Sequence, residues 1–423
     1  MIDAHNIPHL LLVLAALLVT AKLLGALAQS VGQPGVLGEL VAGVLLGGSV
    51  FGLVNPADPV IHALSELGLI VLLFEIGLHT DLRSMAKVAG TATTVGIVGV
   101  VVPFALGYAA VSSILGLGTL AALVCAAALT ATSIGISARV LADLGQLKTK
   151  EGQVVLGAAV LDDIVGLIVL SVVTSIVAGG SWTVAGVIRT TIIAIGFIVV
   201  ALTVGRILAR PVFSSIETIR APGTLAVLAL AFAFLLSSLA ATSGSAMILG
   251  AFAAGIILNG TAERVEIERA ATTIGHLLVP IFFASVGAAV ELSAFKESGT
   301  LAVAGLLIVV GVLGKFVAGY APWWFRGNKS LIGVAMIPRG EVGLIFAQMG
   351  LATRAISPSL FSALALMVLV TTFLAPPILA RVGAKAPQPG TGPDDMGIDD
   401  LVSGDWRHRT PRALPAPQLN PKD

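Results

Sequence analysis

Two adjacent carboxylates, Asp162 and Asp163, stand in the otherwise apolar run AAVLDDIVGLIVL. Consecutive residues of a helix point about 100° apart, so the two acids face different neighbours. Joint ionisation at low dielectric is costly, which suits a site that must hold either a proton or a cation. Carboxylate oxygens bind hard cations, and hydroxyls with freed backbone carbonyls can complete the shell. Thr132 and Ser133, in the stretch Thr130-Ala131-Thr132-Ser133-Ile134-Gly135, are the candidate co-ligands. Lys315 lies in VLGKFVAGY, with long apolar sequence on both sides. Such an ammonium cannot easily snorkel to water, so it needs a carboxylate or must shed its proton. Further on, Ile337-Pro338-Arg339-Gly340-Glu341-Val342-Gly343 places two charges around two helix-weakening residues. Glu75, in LLFEIGL, is a secondary candidate, open to either a structural hydrogen bond or an ion role.

These groups need elements that hold them inside a bilayer. The 423 residues are 57% hydrophobic and 11% charged, whereas soluble domains run at about 45–50% and 25%. A polytopic membrane protein follows. A net charge of +1 argues against nucleic acid as a partner, and the lone Cys125 excludes a disulfide scaffold. No cofactor motif is identified. A bilayer core takes roughly 20 apolar residues per helix. On that rule thirteen spans are expected, near 8–28, 34–54, 60–79, 87–113, 119–138, 152–178, 184–208, 221–241, 244–260, 274–292, 300–322, 331–352 and 357–380. The first lacks a basic leader and reads as a retained helix.

Lys and Arg set the expected orientation. The connections after spans 3, 5, 7, 9 and 11 hold 12 of them, from Arg83 to Lys329, against 2 (Lys296 and Arg354) after the even spans. The N-terminus is then expected outside and the C-terminus in the cytoplasm. Residues 381–423, rich in Pro, Asp and Gly, read as a disordered cytoplasmic tail. That tail is too short for a nucleotide-binding regulatory domain of roughly 100 residues.

Span 3 ends in Gly77-x-x-x-Asp81-Leu82 and span 10 in Gly287-x-x-x-Glu291-Leu292, 210 residues on. The same offset carries the polar stretch of span 5 onto that of span 12. Seven spans is an odd offset, so the second copy is expected to run in the opposite direction. Inverted repeats with broken helices mark secondary transporters. Broken backbone is tolerated in a bilayer only where it lines a cavity or is buried in protein. Arg339 and Glu341 would compensate the exposed helix ends, or pair with each other across the break.

Taken together, the acid pair, the hydroxyl-bearing break before it, Lys315 and the Pro338–Gly343 segment resemble the bacterial sodium/proton antiporters of the cation:proton antiporter superfamily, in particular the NapA-like branch. The resemblance covers residues 8–380. It implies an all-α fold of inverted repeats with two crossed discontinuous helices. It also implies a core near 87–178 and 300–380, with dimerisation and linker spans near 8–79 and 184–292. Asp163 would be the main ion carboxylate, Asp162 would pair with Lys315, and Thr132 and Ser133 would stand near the ion. Sodium, and with it lithium, would exchange for protons in a homodimer in a bacterial inner membrane. The cycle would be electrogenic if the Asp162–Lys315 pair also carries a proton.

A potassium/proton antiporter or potassium-efflux protein of the same superfamily is the alternative, because the ligand distances of these ions differ by fractions of an ångström. An intramembrane aspartyl protease would need two acids on facing helices, and here they are neighbours on one. A channel would want rings of carbonyls or charges around a pore.

Overall fold

The computed structural model describes residues 7–80, 82–177, 183–205, 207–209, 213, 223–289 and 298–383. Asp81, Glu291, Leu292 and Lys296, and the tail from residue 384, lie outside the described residues. Among the described residues there is no strand. The helices are α1 (Ile7–Ser30), α2 (Gly35–Leu46), α3 (Pro59–Leu78), α4 (Leu82–Ala109), α5 (Thr119–Ala128), α6 (Ile134–Asp143), α7 (Lys150–Val177) and α8 (Val184–Val200). They continue with α9 (Thr224–Thr242), α10 (Met247–Asn259), α11 (Arg264–Ala288), α12 (Ser298–Ala318), α13 (Lys329–Ala335), α14 (Glu341–Ala352) and α15 (Pro358–Gly383). A π-turn at Ala110–Ile114 extends α4, and another at Ala201–Gly205 extends α8.

Nine of the described helices have the length and apolar character to cross a membrane. Thirteen spans were expected. The difference falls on spans near 34–54, 119–138, 244–260 and 331–352. There the helices are short, as in α2 and α10, or interrupted, as in α5/α6 and α13/α14. Composition reads the length of an apolar run, and these runs contain glycines, hydroxyls and a proline that end helices early.

The order long, short, long, long, broken pair, long in α1–α7 recurs in α9–α15. The packing repeats as well. A Cβ added to Gly43 of α2 would overlap the carbonyl of Ala284 on α11, and one on Gly255 of α10 would overlap that of Phe74 on α3. Gly77 of α3 lies equally close to Phe252 on α10, as does Gly287 of α11 to Leu40 on α2. Each member of these pairs lies about 210 residues from its counterpart. The glycines of the repeated sequence motif are therefore the points where two helices touch backbone to backbone. Such close approach maximises van der Waals contact, the main packing force where lipid removes the hydrophobic drive.

Around this frame α4 packs on α7 and α12, and α12 on α15, while α3 packs on α10 and α11. Pro103 within α4 rests against Gly314 of α12, so the removed backbone donor falls at a crossing rather than facing lipid. The start of α3 is fixed by Pro59 and by Asp58, whose carboxylate accepts the N–H groups of Val60 and Ile61 at 2.9 and 3.2 Å.

Candidate functional site

The two breaks are built from local hydrogen bonds and then from each other. At the end of α5 the Thr130 hydroxyl donates to Ala127 O at 2.7 Å, occupying a carbonyl of the last turn. The chain restarts at Ile134. The Ser133 N–H donates to Pro338 O at 2.9 Å, and the Ser137 hydroxyl donates to Ala335 O. Asn328 caps α13 by accepting from Leu331 N–H at 3.0 Å. Gly340 then lets the second break lie against Ser133, because a Cβ there would stand 3.0 Å from the serine side chain. The crossing thus joins positions some 200 residues apart in sequence.

Asp162 of α7 is bound into this crossing. Its Oδ2 accepts the Thr132 N–H at 2.7 Å and its Oδ1 accepts Lys315 Nζ at 2.9 Å. The side chains of Lys315 and Asp162 are 0% and 1% exposed. Burying two such charges costs several kcal/mol per ion, which only close pairing and further hydrogen bonds offset. The carboxylate also sits at the N-terminal, positive end of α6, where an anion is favoured.

Arg339 matches the opposite helix end. Its Nη1 donates to Ala131 O at 2.8 Å, just beyond α5, and its Nη2 donates to Gly311 O of α12 at 3.2 Å. It is fully buried, and the Thr372 hydroxyl donates to its own carbonyl at 2.6 Å. At Ala131 this puts a cation beside the carbonyl end of α5, the favourable arrangement, whereas Gly311 lies within α12 and its carbonyl accepts from Arg339 in addition to its place in the helix. The side chain of Glu341 lies outside the described residues. Thr372 stands 210 residues after Asp162, at the equivalent place of the second repeat. One repeat therefore secures its break with a hydroxyl where the other uses a carboxylate.

A cavity of about 610 Å³ leads to this crossing. Asp162, Asp163, Gly340, Thr372 and Phe282 surround its deep end, while Pro56, His62, Glu66 and Ala289 lie at the other. Asp163 is half-buried, the more exposed of the two acids. Ala131 reaches the lining, but Thr132 and Ser133 do not. Thr132 serves Asp162 through its backbone N–H, and its hydroxyl lies 3.5 Å from Met336 O.

Glu75 is elsewhere. Its Oε1 accepts the Thr272 hydroxyl of α11 at 2.8 Å. Arg139 of α6 feels the charges of Glu75, of the buried Glu39 of α2 and of Asp143, to which its Nε comes within 3.1 Å. This cluster lies where α6 meets α2 and α3, at the end of the bundle opposite the cavity mouth. By sequence Arg139 belongs to a connection, because the apolar run ends at residue 138; in the structure α6 continues to Asp143. Thr372 and the Gly311 carbonyl were missed as well. A threonine in an apolar helix gives no signal by type alone, although the 210-residue offset from Asp162 would have pointed to Thr372.

A profile of the sodium/hydrogen exchanger transmembrane family matches residues 13–385. The high-affinity Na⁺/H⁺ antiporter NhaS3 of Synechocystis is 40% identical over 416 residues, covering 89% of this chain and 90% of that protein. The Na⁺/H⁺-K⁺ antiporter GerN of Bacillus cereus is 32% identical over 378 residues, covering 88% and 96%. Among solved structures, the sodium proton antiporter MjNhaP1 of Methanocaldococcus jannaschii superposes with a TM-score of 0.64 at 17% identity, over 89% of this chain and 99% of that one. At that identity the likeness is one of fold.

Proposed function

The chain belongs to the sodium/hydrogen exchanger family, and we propose that this multi-pass membrane protein exchanges sodium, and with it lithium, for protons by alternating access at Asp163. The observation that carries the reading is an acid pair set against two crossed helix breaks at the base of a deep cavity. One carboxylate, Asp162, is engaged by Lys315 and the Thr132 amide. Asp163 opens onto the cavity and takes either a proton or a sodium ion. The Ala131 carbonyl at the cavity wall is already held by Arg339. Both oxygens of Asp162 are engaged as well, so the ion's remaining ligands at Asp163 are chiefly water, while Thr132 and Ser133 act by shaping the break.

Helices α4–α7 and α12–α15 form the moving core; α1–α3 and α9–α11 form the scaffold of a homodimer, with α8 as the link. A charged core crosses the apolar barrier poorly, so movement follows occupation by proton or sodium, which makes the exchange obligatory. With the N-terminus outside a bacterial inner membrane, as the Lys and Arg distribution favours, the ends of α2 and α11 and the start of α3 lie outside. The cavity then opens outward, and the Glu39–Arg139 cluster belongs to the closed inner face. Transport is electrogenic if Lys315 yields a proton to the cycle.

The test is exchange in proteoliposomes, sodium against potassium, for the wild type and Asp163→Asn. Sodium should dissipate an imposed pH gradient, and the variant should be inactive. Normal exchange by Asp163→Asn, or no cation-coupled proton movement by the wild type, overturns the reading. Potassium as effective as sodium would move the protein to the potassium/proton alternative.

A further inference from the structure

Resting on the sodium/proton reading, we propose that Glu66 is the capture carboxylate of the cavity, holding a hydrated monovalent cation at the mouth before the ion passes inward to Asp163. Among the cavity's lining residues the ionisable groups are Asp162, Asp163, Glu66 and His62; none is Lys or Arg. Asp162 is already engaged by Lys315, which leaves Asp163 at the base and Glu66 at the mouth as the acids facing the passage. The walls between them are largely apolar, with Leu167, Phe282 and Leu369 among them. Low-dielectric walls keep field lines inside a cleft, so a carboxylate at its mouth attracts cations more strongly than one on an open surface.

The position is also built. Glu66 is half-buried on the second turn of α3, and that helix start is held by the Asp58 cap and Pro59. His62, Ser65 and Glu66 are spaced so that all three line one wall. Ser65 and Ser285 are 8% and 6% exposed and place hydroxyls on that wall, one on each of the adjacent helices α3 and α11. A cation leaving Glu66 meets these hydroxyls before it reaches Asp163. Glu66 touches the substrate in transit but takes no part in the proton exchange at Asp163, so its effect belongs in the concentration dependence.

The experiment compares wild type, Glu66→Gln, Glu66→Asp and Asp163→Asn in proteoliposomes of known orientation, with sodium presented to one face and then the other. In low-ionic-strength medium Glu66→Gln should raise the apparent KM for sodium about 3–10-fold on the face to which the cavity opens, at or below the low end of the roughly 10–1000-fold concentration of counter-ions by a fully charged cleft, because one carboxylate of several is removed. The maximal rate and the KM on the other face should hold. Glu66→Asp should stay close to wild type, and added choline chloride should bring Glu66→Gln and wild type together by screening. An unchanged KM on both faces, an equal rise on both, or a fall confined to the maximal rate overturns the assignment of Glu66. In each of those cases an active wild type and an inactive Asp163→Asn leave the exchange reading standing. A wild type without exchange overturns both.

Discussion

Replacing Lys315 by Met removes one charge of a buried pair and keeps most of the side-chain volume. Asp162 would then retain the Thr132 N–H at 2.7 Å and lose the ammonium at 2.9 Å. Removing one partner of a buried ion pair costs about 3–5 kcal/mol, chiefly because the remaining charge is left uncompensated. Asp162→Asn should cost a similar amount by stranding the ammonium. The double variant Asp162→Asn/Lys315→Met leaves neither member of the pair as an unpaired charge, although the buried Arg339 loses the field of Asp162, and should lie within about 1–2 kcal/mol of wild type. The melting shift per kcal/mol shrinks with chain length, to about 1–2 °C for a chain of this size. Each single variant should therefore melt about 5 °C below wild type in detergent, and the double should recover most of the loss. The transport readout is exchange at an imposed membrane potential. If Lys315 carries a proton in the cycle, the wild-type rate responds to potential and that of Lys315→Met does not. A double variant no more stable than the singles would refute the uncompensated-charge argument. A wild-type rate indifferent to potential would refute the electrogenic role.

Competition at Asp163 predicts that lowering the pH on the sodium-loaded side raises the apparent KM for sodium, approaching tenfold per pH unit once the site is mostly protonated, at constant maximal rate; pH-resolved initial rates check this. Arg339→Ala leaves the Ala131 carbonyl without its partner, removes a second contact at Gly311 and opens a cavity where a fully buried side chain stood. It should lower stability by about 3 kcal/mol or more, read as thermal melting and loss of monodisperse protein, with Arg339→Lys recovering only part because it lacks the two-pronged geometry. Gly43→Ala and Gly255→Ala should be destabilising by comparable amounts, about 1–3 kcal/mol each, because each pushes a methyl into the facing backbone at equivalent crossings. Arg139→Gln removes the cation among Glu39, Glu75 and Asp143. It should loosen the closed face, so that a cysteine placed at Ser65 reacts more slowly with an external thiol reagent as the population moves away from the observed state.

The sequence alone determined the solvent this chain folds in, the order of its apolar elements, the two places where helices must break and the acid pair between them. Each follows from local chemistry. Too few charges exclude a water-exposed surface, glycine, proline and hydroxyl groups end helices inside apolar runs, and two carboxylates in such a run demand compensation. The offset between Gly77 and Gly287 announced the repeat, although the structure gives those glycines a packing role. The partners of the buried charges were decided by the tertiary structure. Asp162 rather than Asp163 meets Thr132, and through its amide rather than its hydroxyl. Arg339 caps two carbonyls, one of them on a helix far from either break. Glu75 turns to Thr272, away from the cavity, and Arg139 joins a charge cluster from within a helix. Residue type states what a buried group needs, whereas which neighbour supplies it depends on how helices 150–200 residues apart cross, and no local pattern encodes those angles.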